Sequence, residues 1–434
     1  MVILERDTPE MRGGNSKYTR NIRCAHEGLP PHGDSYPDEE LLDDLVRVTG
    51  KDLDMEMARF AISESRTTLR WMEAHGVDWQ PALHGTLGLA RTNQFFLGGG
   101  KALLNTYYRL AEQRGVAIAY GALVEAVEIR QQRAKRLIVR CDGETVTLNP
   151  KVTIVASGGF EANIEWLKRY WGPGADNYIV RGSSANDGRV LASLLSQGVM
   201  ERGNGHSFHA VAVDARAPKY DGGIVTRVDS IPFSITVNRD ALRFYDEGED
   251  AWPRRYATWG RLVAQQPDQI AYSIFDSKVF GRFIPAMSPP IIAPTIQELA
   301  AVVGLEAASL KRTVDQFNAH TGAHDGYDPT RPDGVKTLGL EPPKSNWALP
   351  VDRPPFAAYA LRPGITFTYL GVAVDKQAQV LLASGTPVSG LYAAGEIMAG
   401  NILLNGYLAG FGMTIGTVFG RIAGREAARH VRAS

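Results

Sequence analysis

The stretch "GLYAAGEIMAGNILLNGYLAGFGMTIGTVFGRIAG", residues 390–424, restricts the fold of this chain more than any other segment. The short apolar run Leu391–Ala394 reads as a buried strand that stops at Gly395-Glu396. Asn405-Gly406-Tyr407-Leu408 and Ala409-Gly410 follow, and a helix with small residues on one face opens near Gly412. The first amides of a helix have no partner inside it and lie at the positive end of its dipole. They suit a ligand edge that gains negative charge, such as the pyrimidine carbonyl of a flavin on reduction. Glu396 is placed to accept from a ribose or ribityl hydroxyl.

The other end of the chain carries matching signals. "MVILERD" reads as an apolar parallel strand, Met1–Leu4, closing on the acid Glu5, the arrangement that holds a dinucleotide ribose. The loop "RGGNSKYTRN" places Gly13, Gly14, Asn15 and Ser16 where backbone amides can turn toward a phosphate or a ring edge. "TIVASGGF" ends a second buried strand, Val152–Ala156, in Ser157-Gly158-Gly159, so that a ligand can lie against bare backbone. Each has an ordinary alternative, a surface loop or a strand-to-helix turn; the long C-terminal stretch is what binds them into one reading.

At 434 residues the chain exceeds one ordinary hydrophobic core, and two interleaved domains are expected. We divide it into residues 1–204 and 361–434, which hold the glycine loops, and 205–360, which hold most of the prolines, aromatics and paired charges. Lys plus Arg equals Asp plus Glu at 47 each, so no net field draws nucleic acid or an anionic membrane. The two cysteines, Cys24 and Cys141, lack metal-ligand spacing and read as reduced thiols; no metal is expected. Glu5 and Arg6 interrupt the only early apolar run, and no signal peptide or membrane span is visible. A cytoplasmic location follows, extending to the inner-membrane surface if electrons leave through a partner there.

The segments "ILER", "RGGNSKYTRN", "VASGGF", "ITVNRDALRFYDEGED", "TFTYLGVAVD" and "LYAAGE…NGYLAGFGMT…FGRIAG" resemble the flavoprotein family of fumarate reductase, succinate dehydrogenase and 3-ketosteroid dehydrogenase, most closely its tricarballylate dehydrogenase branch. The resemblance covers nearly the whole chain. It implies an α/β fold with a Rossmann-like FAD-binding domain and an inserted α+β substrate-capping domain. It implies FAD as cofactor and hydride exchange between a C–C bond and the flavin. The implied cofactor contacts are Glu5, Arg6, Gly13, Gly14, Asn15, Ser16, Val124, Ala156, Ser157, Gly158, Asn186, Asp187, Gly395, Glu396, Gly406, Leu408 and Gly410.

One departure concerns the cofactor. The family's first strand and Gly-x-Gly-x-x-Gly turn, which hold the pyrophosphate about 20 residues before the ribose acid, are absent ahead of Glu5. "GGGKALLN" lacks the upstream glycine and the Ser/Thr of a P-loop and does not replace them. We expect that Met1 is an internal methionine taken as a start, or that the gene is truncated, and that the chain as given holds FAD poorly.

Other departures concern the substrate. "HSFHAVAVD" aligns His209 with a carboxylate-binding histidine, with His206 as a second donor. Thr226-Arg227 stands where fumarate reductases have Thr-Glu, which breaks their proton relay and adds a positive charge. The proton-transfer arginine of the family falls near "DAWPRRY", giving Arg255, with Arg254 as its neighbour. Phe367 and Tyr407 replace a histidine and an arginine that bind substrate carboxylates, so fumarate and succinate look wrong as substrates. The resulting expectation is dehydrogenation of a small polycarboxylate, tricarballylate to cis-aconitate. His209, Arg227 and Arg255 would hold carboxylates and Tyr407 would donate a hydrogen bond. Electrons would leave to a separate membrane or iron–sulfur acceptor. The alternatives are a 3-ketosteroid dehydrogenase-like or cobalamin-pathway flavoprotein, or a truncated, flavin-free remnant without catalysis.

Overall fold

The apolar runs read in the sequence form two sheet systems that meet at the glycine loops. The structure, a computed structural model, describes residues 1–28, 34–81, 89–249 and 256–433. In the first system Val2–Leu4 runs parallel to Ala117–Ala119, with Ile3 opposite Ile118. A parallel pair needs a long crossover, and helix Gly99–Gln113 forms part of it. Thr153–Val155 runs parallel to Pro387–Ala393, and a meander of Leu123–Arg130, Arg133–Cys141 and Glu144–Leu148 joins beside it. Among the described strands, Val2–Leu4 and Thr153–Val155 are each paired along one edge only, and Val2 and Ile154 are exposed.

The C-terminal helix Phe411–Ala433 buries Phe411, Ile415, Val418, Phe419 and Ile422. That spacing puts them on one face, which packs on Pro387–Ala393 and on helix Met55–Ser65. Among the described residues no helix is long and apolar enough to cross a membrane.

The second system is built on the 13-residue strand Phe356–Thr368. Phe208–Asp214 and Ala271–Asp276 flank it antiparallel, and Ile235–Asn238 pairs outside the latter. Ile291–Ala293 pairs near one end of the long strand and Ile179–Val180 near the other. Helices Ile296–Val303 and Ala307–Ala319 pack over Ile235, Ile274 and Phe356 in a core of their own.

One irregularity positions the site. His209 faces Phe367, but the next residue, Ala210, faces Ile365, so Thr366 is the extra residue of a β-bulge. A bulge leaves backbone groups unpaired and re-aims side chains. Here the Thr366 carbonyl accepts from Asn15 of the glycine loop, and the Thr366 hydroxyl accepts from Arg181.

Candidate active site

The loop after Val2–Leu4 folds back on its own acid. The Glu5 carboxylate accepts from the amides of Asp7 and Gly13, both at 3.0 Å, and from the Tyr108 hydroxyl at 2.8 Å. Gly13 has φ +94, where a Cβ would also lie 2.3 Å from Leu104 Cδ1, so glycine is required. Gly14 and Ser16 form the short 3-10 turn Gly14–Tyr18. Arg6 donates to Asp187 Oδ2 at 2.8 Å and to the Ala185 carbonyl at 2.7 Å, tying this loop to the 181–187 segment.

Asn15 is the centre of the seam. Its Nδ2 donates to Glu161 Oε1 at 2.5 Å and to the Thr366 carbonyl at 2.6 Å, and its Oδ1 accepts from the Ser183 amide at 2.6 Å. Asn186 Nδ2 donates to the same Glu161 oxygen at 2.6 Å. Glu396 Oε1 accepts from the Thr368 amide at 2.8 Å and its hydroxyl at 3.2 Å. A Cβ on Gly159 would lie 2.1 Å from Thr368 Oγ1 and 2.3 Å from Glu396 Oε1, which is why "SGGF" needs a second glycine after Gly158. Burial pushes the Glu161 carboxyl up to about 7, and burial together with Glu161 raises Glu396 well above the ordinary carboxylate range. The two carboxyls face each other and do not both ionise at neutral pH.

Beyond Thr366 a chamber-side cluster of rings and guanidiniums gathers around His209. The His209 and Tyr407 rings stack, 4.0 Å between centroids and 8° apart in plane. Phe367 lies 5.6 Å from Tyr407 and Tyr256 5.7 Å from His209. The Gly412 amide, in the first turn of the C-terminal helix, donates to the Tyr407 hydroxyl at 3.2 Å. With its oxygen accepting there and its phenol pushed up by burial, Tyr407 keeps a proton to donate.

Arg181 follows strand Ile179–Val180 at the bulge. Its Nε donates to Thr366 Oγ1 at 2.8 Å, and its Nη2 lies 3.5 Å from His209 Nε2. That contact makes Nε2 the acceptor, so the proton sits on Nδ1, which has no partner. Burial, then Arg181 and Arg227, hold the His209 imidazole well below its ordinary range, hence neutral. Arg227 donates to Asp229 at 2.6 Å and lies 4.9 Å above the Tyr256 ring. Burial and neighbouring positive charge bring Arg20 and Arg181 down to about 10, still cationic at neutral pH.

A family model described as an FAD binding domain matches residues 28–413. The chain belongs to that family. It is 24% identical to a probable fumarate reductase of Shewanella frigidimarina, over 99% of this chain and 71% of that protein. It is 30% identical to a 4-oxocyclohex-2-ene-1-carboxylate 5-dehydrogenase of Sinomonas cyclohexanicum, over 64% of this chain and 50% of that protein. Such relatives are longer, and the chain spans between 36% and 71% of their length. The open conformation of a flavocytochrome c3 fumarate reductase superposes with a TM-score of 0.75 at 20% identity, covering 99% of this chain and 74% of that one. At that identity the likeness is one of fold, and the fold is the mixed α/β architecture of FAD-binding flavoproteins.

FAD is the group that a member of the FAD-binding-domain family holds, and the residues present fit it. Gly13, Gly158 and Gly395 are all at positive φ, Ala156 and Ser157 are exposed, the Gly13 amide donates to Glu5, and Gly14 and Gly158 both face Asn186. Gly406 and Gly410 are closely packed: a Cβ on Gly406 would lie 2.1 Å from the Val48 carbonyl, and one on Gly410 would lie 2.7 Å from Asn21 Oδ1. Leu408 is fully buried, and Val124 pairs with Val139 in the meander.

The structure brings His209, Arg227, Phe367 and Tyr407 together and leaves others aside. His206 is exposed, with its ring edge-on to Tyr170 at 5.1 Å rather than in the chamber. The Thr226 hydroxyl donates to the Gly223 carbonyl at 2.7 Å, holding its own turn. Arg254 and Arg255 lie outside the described residues. Arg20, Arg181, Tyr256 and Glu161 were not anticipated. Glu161 carried a signal, an acid directly after "SGGF"; Arg181 carried only its place ahead of "GSSANDG".

Proposed function

We propose that the chain is an FAD-dependent dehydrogenase that removes two hydrogens from the CH–CH bond of a small polycarboxylate, tricarballylate to cis-aconitate. The observation that carries this reading is the cluster around His209: a protonated phenol, a neutral imidazole and the guanidiniums of Arg20, Arg181 and Arg227 are neighbours, beside glycine loops that suit a flavin. FAD, when bound, supplies the hydride acceptor. The protein's part is to bind and orient the acid. Arg227 and Arg181 would hold carboxylates, for which a guanidinium fork is the matching shape. Tyr407 would donate to the carboxylate next to the carbon that loses its proton, where enolate-like charge develops. Removal of that proton is assigned to Arg255, with Arg254 beside it, on the resemblance alone. Residues 205–360 would close over the bound acid. With two cysteines the chain has too few thiolates for an iron–sulfur cluster, so electrons would pass to a separate membrane or iron–sulfur partner.

Anaerobic mixing of the flavin-loaded chain with tricarballylate should bleach the yellow absorbance. If the band persists while another acid or a steroid bleaches it, the substrate assignment fails. A second reading is favoured by the Tyr407–Gly412 contact, since a phenol pinned by a helix-terminal amide can polarise a ketone. A 4-oxo cyclic acid of the kind named for the Sinomonas relative would then bleach the flavin and tricarballylate would not.

A further inference from the structure

The proposed reaction makes no use of the acid pair behind the glycine loops. Glu161 is 0% exposed, whereas Glu396 keeps partial exposure beside Gly395. Every described donor to the pair is neutral: the Asn15 and Asn186 side-chain amides to Glu161, the Thr368 amide and hydroxyl to Glu396. Among the described residues no cation pairs with either acid, and Glu161 Oε2 faces the Glu396 carboxyl alone. An ionised carboxyl can only accept, so two of them face to face need a shared proton.

The pair stands directly behind the backbone that suits FAD. A Cβ on Gly159 would lie 2.3 Å from Glu396 Oε1, and one on Gly158 would lie 2.8 Å from Asn186 Nδ2. Through Asn15 and Asn186, Glu161 joins three separate pieces of chain: the loop after Val2–Leu4, the 181–187 segment and the bulged strand at Thr366. The charged groups on those pieces are engaged elsewhere. Arg6 pairs with Asp187, Lys17 with Asp221, Arg181 donates to the Thr366 hydroxyl, and Asp7 accepts from the Ser183 hydroxyl. Burial holds the Tyr369 and Tyr407 phenols up and the His209 imidazole down, away from neutrality, and leaves Glu161 at about 7.

We propose that Glu161 is a positioning residue for FAD: while protonated it stays against Glu396 and holds Asn15 and Asn186 behind the glycine loops, so that the chain binds FAD with this proton in place and releases FAD as the proton leaves. A cofactor held at these glycines covers the exposed edge of Glu396. Removing that water penalises the charged form of the pair, so FAD and the proton favour each other, by the same factor in both directions. Ionised, Glu161 puts a buried negative charge without a counter-ion against Glu396. This role rests on FAD as the cofactor and not on the choice of substrate.

Calorimetric titration of the purified 434-residue chain with FAD, from pH 6 to pH 8.5 at matched ionic strength, tests it. With Glu161 at about 7, only about 3% of the chain is competent at pH 8.5, so the wild-type Kd should rise about 30-fold over this range. Glu161→Gln keeps an acceptor for Asn15 and Asn186 without a charge. It should bind FAD within about threefold of wild type at pH 6 and keep that affinity at pH 8.5. Lys344, brought down to about 8 in the capping core, would move both proteins alike. Glu161→Leu strips a partner from both amides and should bind about 30-fold more weakly at pH 6. Should it fail to fold, the comparison of wild type with Glu161→Gln decides alone. In infrared spectra of the cofactor-free chain, a protonated-carboxyl band should fade between pH 6 and pH 8.5 in wild type and not in Glu161→Gln. Three results would overturn the proposal: a wild-type Kd that does not change with pH, the same pH dependence in Glu161→Gln, or no measurable FAD binding at pH 6. A flavin-loaded chain with this pH profile that tricarballylate fails to bleach would keep the positioning role and refute the proposed reaction.

Discussion

Two buried polar regions lie side by side at the seam, and they are finished to different degrees. Around Asn15, the amide spends both ends, Glu161 Oε1 takes two donors and Glu396 takes two from Thr368. The one loose atom, Glu161 Oε2, faces the Glu396 carboxyl. Around His209, four donors have no acceptor. A satisfied network fixes structure, and a network of held but unpaired donors is preorganised for a ligand. The Asn15 region therefore sets the geometry of the seam, and the His209 region uses it.

The regions also respond to pH in opposite directions. Glu161 has a raised carboxyl pKa in the fold, about 7, so its contribution to stability is full below the unfolded value of 4.5 and is lost as pH rises toward 7. His209 has a lowered imidazole pKa, so its contribution is present above the unfolded value of 6.5 and is lost as pH falls below it.

The largest effect should come from breaking the satisfied region. Asn15→Leu leaves Glu161 Oε1, the Ser183 amide and the Thr366 carbonyl each short of a partner. At about 1 kcal/mol or more apiece, the loss should be about 3 kcal/mol, read from denaturant midpoints. Equal stability of the variant would mean that the Asn15 hydrogen bonds do not specify the seam. Next comes Glu161→Gln, which keeps the acceptor for Asn15 and Asn186 and removes the titration. Wild-type stability should fall by about 2 kcal/mol more than that of the variant between pH 5 and pH 8, in buffers of matched ionic strength. Parallel pH profiles would sink the idea of a protonated Glu161.

How much of this was legible in the sequence depends on how each residue acts. Gly13, Gly158 and Gly395 were legible because a positive φ or a close approach leaves a mark in composition. Tyr407 was legible because it stands in "NGYLAG" where the resembled family carries an arginine; its contact with the Gly412 amide was not. Arg181 was not, because its role depends on a bulge between strands and on Thr366, 185 residues away. Glu161 and Glu396 could each be noticed, but their mutual effect exists only where strand ends meet. His206 and His209 lie three residues apart in one motif, yet the strand begins between them, at Phe208, and aims only His209 into the chamber. The Asp229 partner of Arg227 stands only two residues on, a spacing that the sequence itself displays.

Tyr407→Phe is expected to change stability least, and it separates the regions most cleanly. The ring would keep its stack on His209, 4.0 Å away, and its contact with Phe367. The Gly412 amide would lose an acceptor, but it is a first-turn donor with no helical partner in any case. The cost in unfolding free energy should therefore stay below about 1 kcal/mol. The rate of anaerobic flavin bleaching should fall far more, about 100-fold, since a hydrogen bond aimed at developing charge is worth most in the transition state. Were stability to drop by as much as in Asn15→Leu while bleaching stayed near the wild-type rate, Tyr407 would belong with the network that holds the seam and not with the chamber that uses it.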